Sequence, residues 1–328
     1  MQPDISTRPT LTAAVPVYNH AALLPRALDA LVNQSRLPDE LIVLDDASTD
    51  STWEVIQDYA SRYSFIRPLR NERNQGVNRV LNQLLQLAGR CSYVCFTAAD
   101  DYVLPGFFES AMRLAEGHPE AGIIFGGVDF YTPSTNHTGH LLVDAWTEEL
   151  YATSEQVLSQ WLRQLPATHS FSVATIYRLN ALRSVGGFRP ELDAWADTFA
   201  NQAIALKHGA GYVPRSCAVF NSYGNSFSDR AVRNFPLIMS IVDQAVRLMT
   251  SSEFADRFPR DYVAWWSREY RRSTVEGKVS LLLSNAKWFW IHLAQLCIVP
   301  NAKGLAMRMI VQRIWQKLLR ISRRKSPD

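Results

Sequence analysis

The stretch LIVLDDASTDSTWEVIQDYASRY (41–63) decides the fold. Its first four residues are uninterrupted Leu/Ile/Val, which marks a strand buried on both faces rather than one with a solvent side. The strand ends on Asp45-Asp46, and 48–63 reads as an amphipathic helix. Ser51 with Glu54 three residues later fits a capping box at its start. Upstream, LTAAVPV (11–17) is a second apolar strand, followed by a helix that places Leu23, Leu24, Ala27, Leu28 and Leu31 on one face. Downstream, Phe65–Leu69 is a short strand, GVNRVLNQLLQLA (76–88) a helix and SYVCFTA (92–98) another strand. Buried strands alternating with helices predict an α/β fold with a mostly parallel sheet covered on both sides.

The alternation continues with a helix that begins near Pro105 and ends at Gly117, then strands at 121–131 and 170–178. Residues 135–145 read as a polar loop. ADTFANQAIALKHG (196–209) is an amphipathic helix, and AGYVPRSCAVFNSYGNS (210–226) the final strand and its exit. From about 230 onward helices follow one another, with the break in character near 226–235. The segment 279–300 is apolar but interrupted by Asn285, Lys287, His292 and Gln295, and so reads as a buried or interface-lying helix more than a spanning one.

The net charge of +3 over 328 residues hides an asymmetry. Residues 301–328 carry eight Lys/Arg and one acid, which leaves 1–300 at a formal −4. Basicity is a property of the tail, and a nucleic-acid-binding function is not expected for the whole chain. In 308–322, Ile310, Ile314, Leu318 and Ile321 form a stripe beside Trp315 and Leu319, with basic residues opposite, which suits an anionic membrane surface. The four cysteines, Cys91, Cys95, Cys217 and Cys297, have neither zinc-site nor disulfide-framework spacing and are expected as buried thiols in a reducing compartment. The N-terminus shows no signal-peptide pattern, so a cytoplasmic chain is expected.

No G-x-G-x-x-G, P-loop or G-x-S-x-G is present. Instead Asp45-Asp46 and Asp100-Asp101 both fall at the carboxyl ends of predicted parallel strands, the edge where open α/β sheets bind ligands. Four carboxylates there repel one another unless a cation or a donor-rich ligand is bound. A divalent Mg²⁺ or Mn²⁺ on a diphosphate satisfies both needs with hard oxygen ligands.

AAVPVYN (13–19), LIVLDDASTDST (41–52), NQGVNRVLNQ (74–83), CFTAADDYVLPG (95–106) and VGGFRPELDAWADTFANQAIALKHG (185–209) resemble, in order and spacing, family 2 of the glycosyltransferases. The likeness spans about 11–225 and implies the GT-A fold, Rossmann-like with a mostly parallel mixed sheet, followed here by a helical C-terminal extension. It also implies a domain 1–225, with a donor half of about 11–130 and an acceptor half of about 131–225, and an extension over 226–328. On this resemblance Pro16, Val17 and Tyr18 form the floor under the nucleotide, with Asn19 nearby, and Asp46 accepts a hydrogen bond from the base, most often uracil. Asp100 faces the ribose and metal, and Asp101 is the metal ligand on the diphosphate. Asp197 is the general base that takes the acceptor proton, with inversion at the anomeric carbon; Asp193 competes for that role, and Asp45 is expected to orient its turn.

The chain departs from the family pattern at three places. Ala98 stands where many relatives have the first acid of D-x-D. Leu81 stands where arginine is frequent, and Arg79 substitutes only if its side chain turns inward. Ala196 stands where Glu often precedes the base. On the acceptor side, His169 reads equally as a structural histidine or an acceptor contact, and Trp195 as a sugar-stacking ring or a core tryptophan. Tyr223, Asn225 and Ser228 form either a lid near the diphosphate or a plain turn. The resemblance implies a metal-dependent hexosyltransferase acting on a nucleotide-sugar donor, with UDP the expected nucleotide, and a glycan or lipid-linked acceptor in bacterial surface-polysaccharide or lipopolysaccharide assembly. Its expected location is the inner face of the cell membrane, reached through the C-terminal helices. A polyprenyl-phosphate sugar synthase and a non-catalytic nucleotide-sugar-binding scaffold are the alternatives.

Overall fold

In the computed structural model, residues 8–284 are described apart from 90, 142–145, 165–172, 225–226 and 228–233. Strand β1 (Leu11–Val17) lies between β2 (Glu40–Asp45) and β4 (Tyr93–Phe96), parallel to both, and β3 (Ile66–Arg70) adds to β2, also parallel. The connections are the helices α1 (Leu24–Val32), α2 (Thr52–Arg62) and α3 (Val77–Leu87). Alternation along the strands divides the core into two layers. Leu11, Ala13, Val15, Leu41 and Val43 pack with α1 and α2, while Ala14, Ile42 and Leu44 pack with Val80 and Leu84 of α3. Both faces of β1 and β2 are therefore covered, which is why these strands read as unbroken apolar runs.

The sheet continues from β4 to β9 (Thr175–Arg178), β6 (Ile123–Thr132), β10 (Ala210–Asn221) and β5 (Tyr102–Val103). β9 runs antiparallel to β4 and β6, whereas β10 is parallel to β6. Two short antiparallel strands, β7 (His137–Leu141) and β8 (Leu150–Ala152), pair with β6 and β10. The α/β class with flanking helices is as expected, and the sheet is mixed because β5, β7, β8 and β9 are reversed against their neighbours.

Three local expectations change. The polar stretch 135–145 contains β7, held by backbone pairing to β6 that its polar side chains do not advertise. The strand expected at 170–178 is β9 alone, with 170–172 outside the described residues. Ser51 makes no capping bond. Asp50 does that work: one carboxylate oxygen accepts from Thr52 N (3.1 Å) and Thr52 Oγ1 (2.5 Å), the other from Ala21 N (3.1 Å).

Helix α4 (Phe107–Gly117) covers the α1/α2 face through Phe107, Phe108, Ala111 and Met112. On the opposite face lie α5 (Ser154–Gln156) with the π-helical turn Val157–Leu162 that continues it, α6 (Leu179–Arg183), a 3₁₀ turn Pro190–Trp195 and α7 (Ala196–His208). The helix Phe235–Met249, the segment after it and the first part of Arg260–Ser284 bury Ile238, Val242, Phe258, Tyr262 and Trp266 in the same cluster as Phe199 of α7. One compact unit runs to Arg271; a second begins at Arg272 and is described through Ser284 as helix. Among the described residues no helix is long and apolar enough to cross a membrane. The basic amphipathic segment 308–322 and most of 279–300 lie outside the described residues.

Candidate active site

Because β1, β2 and β4 are parallel, their carboxyl ends open onto one edge, and the loops that leave them meet there. Val17 is in register with Asp45, and Thr97 N donates to Ala14 O (3.1 Å). The loops are stapled to one another. Asn19, at φ 55°, donates from its backbone N to Ser48 Oγ (2.8 Å), and its Oδ1 accepts from Thr49 N (2.8 Å). This fixes Tyr18 at the rim with 42% of its surface exposed, the disposition of a ring available to stack on a ligand.

The adjacent carboxylates Asp45 and Asp46 are both buried and serve different loops. Asp45 accepts from Ser48 N (2.9 Å) and pairs with Arg70 Nε (3.0 Å), so it orients its turn and ties β2 to β3. Asp46 is held at Val17 O through its own N–H (2.8 Å). Its carboxylate accepts from Asn71 Nδ2 (2.8 Å), Gln75 N (2.9 Å) and Gly76 N (2.9 Å). Gly76 is the N-cap of α3 at φ 86°, so Asp46 sits against the positive end of that helix. Asp46 thus clasps the 71–76 loop in addition to any ligand it meets.

Asp100 and Asp101 follow β4. Asp101 is buried, and burial first, with the neighbouring Asp100 charge second, pushes its carboxyl well above the usual range, against one backbone hydrogen bond that lowers it. That bond comes from Asn221 N (2.7 Å), at the end of β10. Asn221 Nδ2 donates to Asp100 O (2.6 Å), and Asn221 Oδ1 is buried without a donor. A carboxylate that resists ionising beside an amide oxygen with no donor is a hard-oxygen set that a divalent cation satisfies. Mg²⁺ or Mn²⁺ therefore fits Asp101, Asp100 and Asn221, although no group of three or more His, Cys, Asp or Glu among the described residues is disposed to hold a metal. Arg26 stacks 3.8 Å above the Tyr102 ring beside this pair.

Asp197 occupies the first turn of α7, where its Oδ1 accepts from Thr198 N (2.5 Å) and Thr198 Oγ1 (3.2 Å). It is half-buried. The segment before it is bound to α3: Asn78 Nδ2 donates to Asp193 O (3.0 Å), Asn82 Nδ2 to Phe188 O (2.7 Å), and Phe188 N to Asn82 Oδ1 (2.9 Å). A chain of hydrogen bonds thus runs from Asp46 through the start of α3 to the turn that leads into Asp197. Sequence reading missed Asn78 and Asn82, although amide side chains recurring every fourth position on an otherwise apolar helix face were the available signal. It also missed Asn221 and Asn71, for which sequence gives no local signal.

Other expected residues sit differently. Asp193 has φ 48°, ψ −123°, a turn conformation usually left to glycine, and its Oδ1 accepts from Ala194 N (2.7 Å). Trp195 is a core residue: it is 4% exposed and packs against Phe199, Trp266 (4.6 Å between ring centroids) and Tyr270, so it presents no face to a sugar. Arg79 does not turn inward; it is exposed and makes no hydrogen bond or ion pair among the described residues. Leu81 is partly buried against the core. Pro16 is half-buried and Val17 buried at the end of β1. Tyr223 is 40% exposed near Asp100, whereas His169, Asn225 and Ser228 lie outside the described residues. Cys95 and Cys217 are buried, unpaired thiols pushed up to about 12 by burial, Cys91 is unpaired and half-buried, and Cys297 lies outside the described residues.

Comparison with known proteins gives the same family. The sequence profile of Glycosyl transferase family 2 matches residues 12–183, more than half of the chain. The uncharacterized glycosyltransferase YibD of Escherichia coli (strain K12) is 24% identical over 206 residues, 60% of this chain and 58% of that protein. The uncharacterized protein Rv1520 of Mycobacterium tuberculosis is 34% identical over 208 residues, 59% of each chain. The matched region thus spans under two thirds of the length of these relatives. Among solved structures, S. aureus TarS in complex with UDP-GlcNAc superposes with a TM-score of 0.62 at 17% identity, covering 80% of this chain and 72% of that one. The mannosyltransferase PcManGT from Pyrobaculum calidifontis, in complex with GDP-Man and Mn²⁺, gives 0.57 at 17% identity, covering 94% and 81%. These likenesses establish the shared GT-A fold.

Proposed function

The chain belongs to glycosyl transferase family 2, and from that premise we propose that it is an inverting, metal-dependent glycosyltransferase that moves a sugar from a nucleotide diphosphate sugar to an acceptor hydroxyl. The observation that supports this reading is the hydrogen-bonded path from Asp46 through α3 to the segment before Asp197, which ties the carboxyl end of β2 and the start of α7 into one frame. Pro16, Val17 and Tyr18 floor the nucleotide, with Asn19 holding that loop and Arg79 at the rim. Asp46 meets the base while keeping the 71–76 loop closed. Asp101, with Asp100, holds the cation, which when bound stabilises the charge of the departing diphosphate.

Asp197 accepts the acceptor proton as the hydroxyl oxygen attacks the anomeric carbon and the bond to the phosphate oxygen breaks on the opposite face. The nucleoside diphosphate carries away the electron pair, and configuration inverts. A carboxylate in the first turn of a helix stays ionised before that step, as a base must. UDP is the nucleotide in this reading; TarS, of the same fold, is known with UDP-GlcNAc, while PcManGT is known with GDP-Man. The acceptor is a glycan or a lipid-linked glycan of a bacterial surface polysaccharide. In the proposed division into 1–225 and 226–328, the basic tail of the extension docks on the anionic inner face of the membrane, where a lipid-linked acceptor is held. His169 belongs to this proposal as an acceptor-side residue.

A panel of UDP-, GDP- and dTDP-sugars, with Mn²⁺ and with chelator, tests the reading by nucleotide release and calorimetric binding. Binding of a UDP-sugar only with Mn²⁺, and loss of transfer in Asp197→Asn with binding retained, is the expected result. Full transfer by Asp197→Asn, or no nucleotide bound by the wild type, refutes it. Flotation with anionic liposomes, with and without 301–328, tests the membrane claim, and equal flotation counts against it.

A further inference from the structure

Near Asp197 lie buried polar atoms that make no hydrogen bond of good geometry. Tyr177 Oη, both amide atoms of Asn201 and Trp195 Nε1 are buried and without hydrogen-bond partners. Tyr177 is 1% exposed and Asn201 wholly buried. Buried hydroxyl and amide groups are rarely left unpaired, because each costs its full desolvation without return. Two of these residues, Tyr177 and Asn201, stand near one carboxylate, a local violation of the kind that proteins keep at functional sites.

The geometry concentrates them on Asp197. Asn201 follows Asp197 by four residues on α7, which puts the two side chains on the same helix face. Tyr177 stands on β9, its ring locked edge-on between Phe96 (6.1 Å) and Phe188 (6.0 Å), so the hydroxyl cannot swing away. The Asn201 side chain lies against that hydroxyl without a well-formed bond. The tyrosine also senses the carboxylate: burial first, then the Asp197 charge, pushes the Tyr177 phenol well up. Burial and then the same charge push the Tyr270 phenol, from the helix Arg260–Ser284, up to about 12. The Tyr177 phenol therefore stays protonated at neutral pH, with its unpaired O–H available as a donor.

We infer that Tyr177 and Asn201 are positioning residues for Asp197, their hydroxyl and amide donors closing onto its carboxylate to keep it ionised and aimed at the acceptor. The inference rests on reading Asp197 as the base. The Asp197 charge already acts on Tyr177 in the free enzyme, so the titration reads that coupling without substrate, and catalytic hydrogen bonds that are long there commonly tighten when substrate is bound. A purely structural role predicts the opposite economy, since Phe at 177 and Leu at 201 would fill the same space without unpaired groups.

The test is a carbon-13 NMR titration of protein labelled at the aspartate carboxyl carbons, with the Asp197 resonance assigned by its loss in Asp197→Asn. Removing a donor to a carboxylate raises its pKa. Tyr177→Phe is expected to move the Asp197 midpoint upward by about half a unit or more, and Asn201→Leu in the same direction. Tyr177→Phe should melt no lower than wild type, because it deletes an unpaired hydroxyl. With whichever nucleotide sugar the donor panel selects, kcat should fall about tenfold with donor KM unchanged. An unchanged Asp197 midpoint in Tyr177→Phe overturns the inference. If wild type transfers from no nucleotide sugar, the proposed function fails, and the titration by itself still decides the role of Tyr177. Should Asn201→Leu not fold, Tyr177→Phe carries the test.

Discussion

Replacing Asp46 with alanine removes the common acceptor of three donors, and its effect can be worked out from the clasp it makes. Asn71 Nδ2 is buried with its residue, so its lost bond is not recovered from water. The Gln75 and Gly76 amides belong to exposed residues and recover part of theirs. Hydrogen bonds to a charged acceptor contribute about 1.5–3 kcal/mol each, and an orphaned buried donor costs about 1–3 kcal/mol. One full loss and two partial ones amount to a destabilisation of about 3–5 kcal/mol. At roughly 2–4 °C per kcal/mol for a domain of this class, the melting temperature should fall by about 10 °C. Asp46→Asn keeps one carbonyl acceptor and should fall between the two. Urea unfolding followed by circular dichroism gives the stability, and calorimetry with UDP gives the ligand side. A loss of less than about 1 kcal/mol in Asp46→Ala, together with abolished nucleotide binding, would refute the clasp and leave Asp46 as a ligand contact alone. The consequence for interpretation is direct: inactivity of Asp46→Ala does not by itself establish nucleobase recognition, and the nucleotide must be titrated into Asp46→Asn as well.

Asp101→Asn should raise the unfolding midpoint at neutral pH while Mn²⁺-dependent nucleotide binding disappears, since the wild-type carboxyl is ionised in the unfolded chain but resists ionising when folded. Because its folded pKa is raised, the deficit is absent below the ordinary 3.8 and grows as pH rises through the folded value, so the gain should vanish near pH 3.8. Asp193→Gly relieves a positive-φ strain of about 1–3 kcal/mol, offset by about 0.5–1 kcal/mol of glycine entropy and a lost Ala194 bond, so thermal unfolding should show a gain of about 1 kcal/mol or less; a loss would show that Asp193 is not strained in solution. Burial first, then Arg178, Lys207 and Arg257, push His208 from 6.5 to about 4. Its folded value is the lower one, so the unfolded chain takes up a proton below pH 6.5 that the folded chain refuses. Its contribution is therefore complete above pH 6.5 and is lost as pH falls toward 4. His208→Gln should flatten stability against pH over that window, and an unchanged slope would count against it.

The amino-acid sequence by itself determined the α/β class and the placement of β1, β2 and α3, because strands buried on both faces and helices buried on one leave their own periodicity in the chain; it bounded α7 as well, closed by Gly209, although that helix is buried almost all round and not amphipathic as expected. It also placed Asp46, Asp100, Asp101 and Asp197 at the ends or starts of those elements. It did not separate the carboxylates by environment. Asp45 and Asp46 are neighbours in sequence, yet one is paired with Arg70 and the other clasps a loop that begins 25 residues on. Tertiary structure alone decided that Trp195 is a core ring, that 137–141 is a strand, and that Asn71, Asn78, Asn82 and Asn221 tie together the loops around the acids. The reason is physical: burial and hydrophobic period are local and repeat along the chain, whereas an amide side chain acquires its role from whichever distant backbone or carboxylate the fold brings within 3 Å, and sequence order carries no record of that meeting.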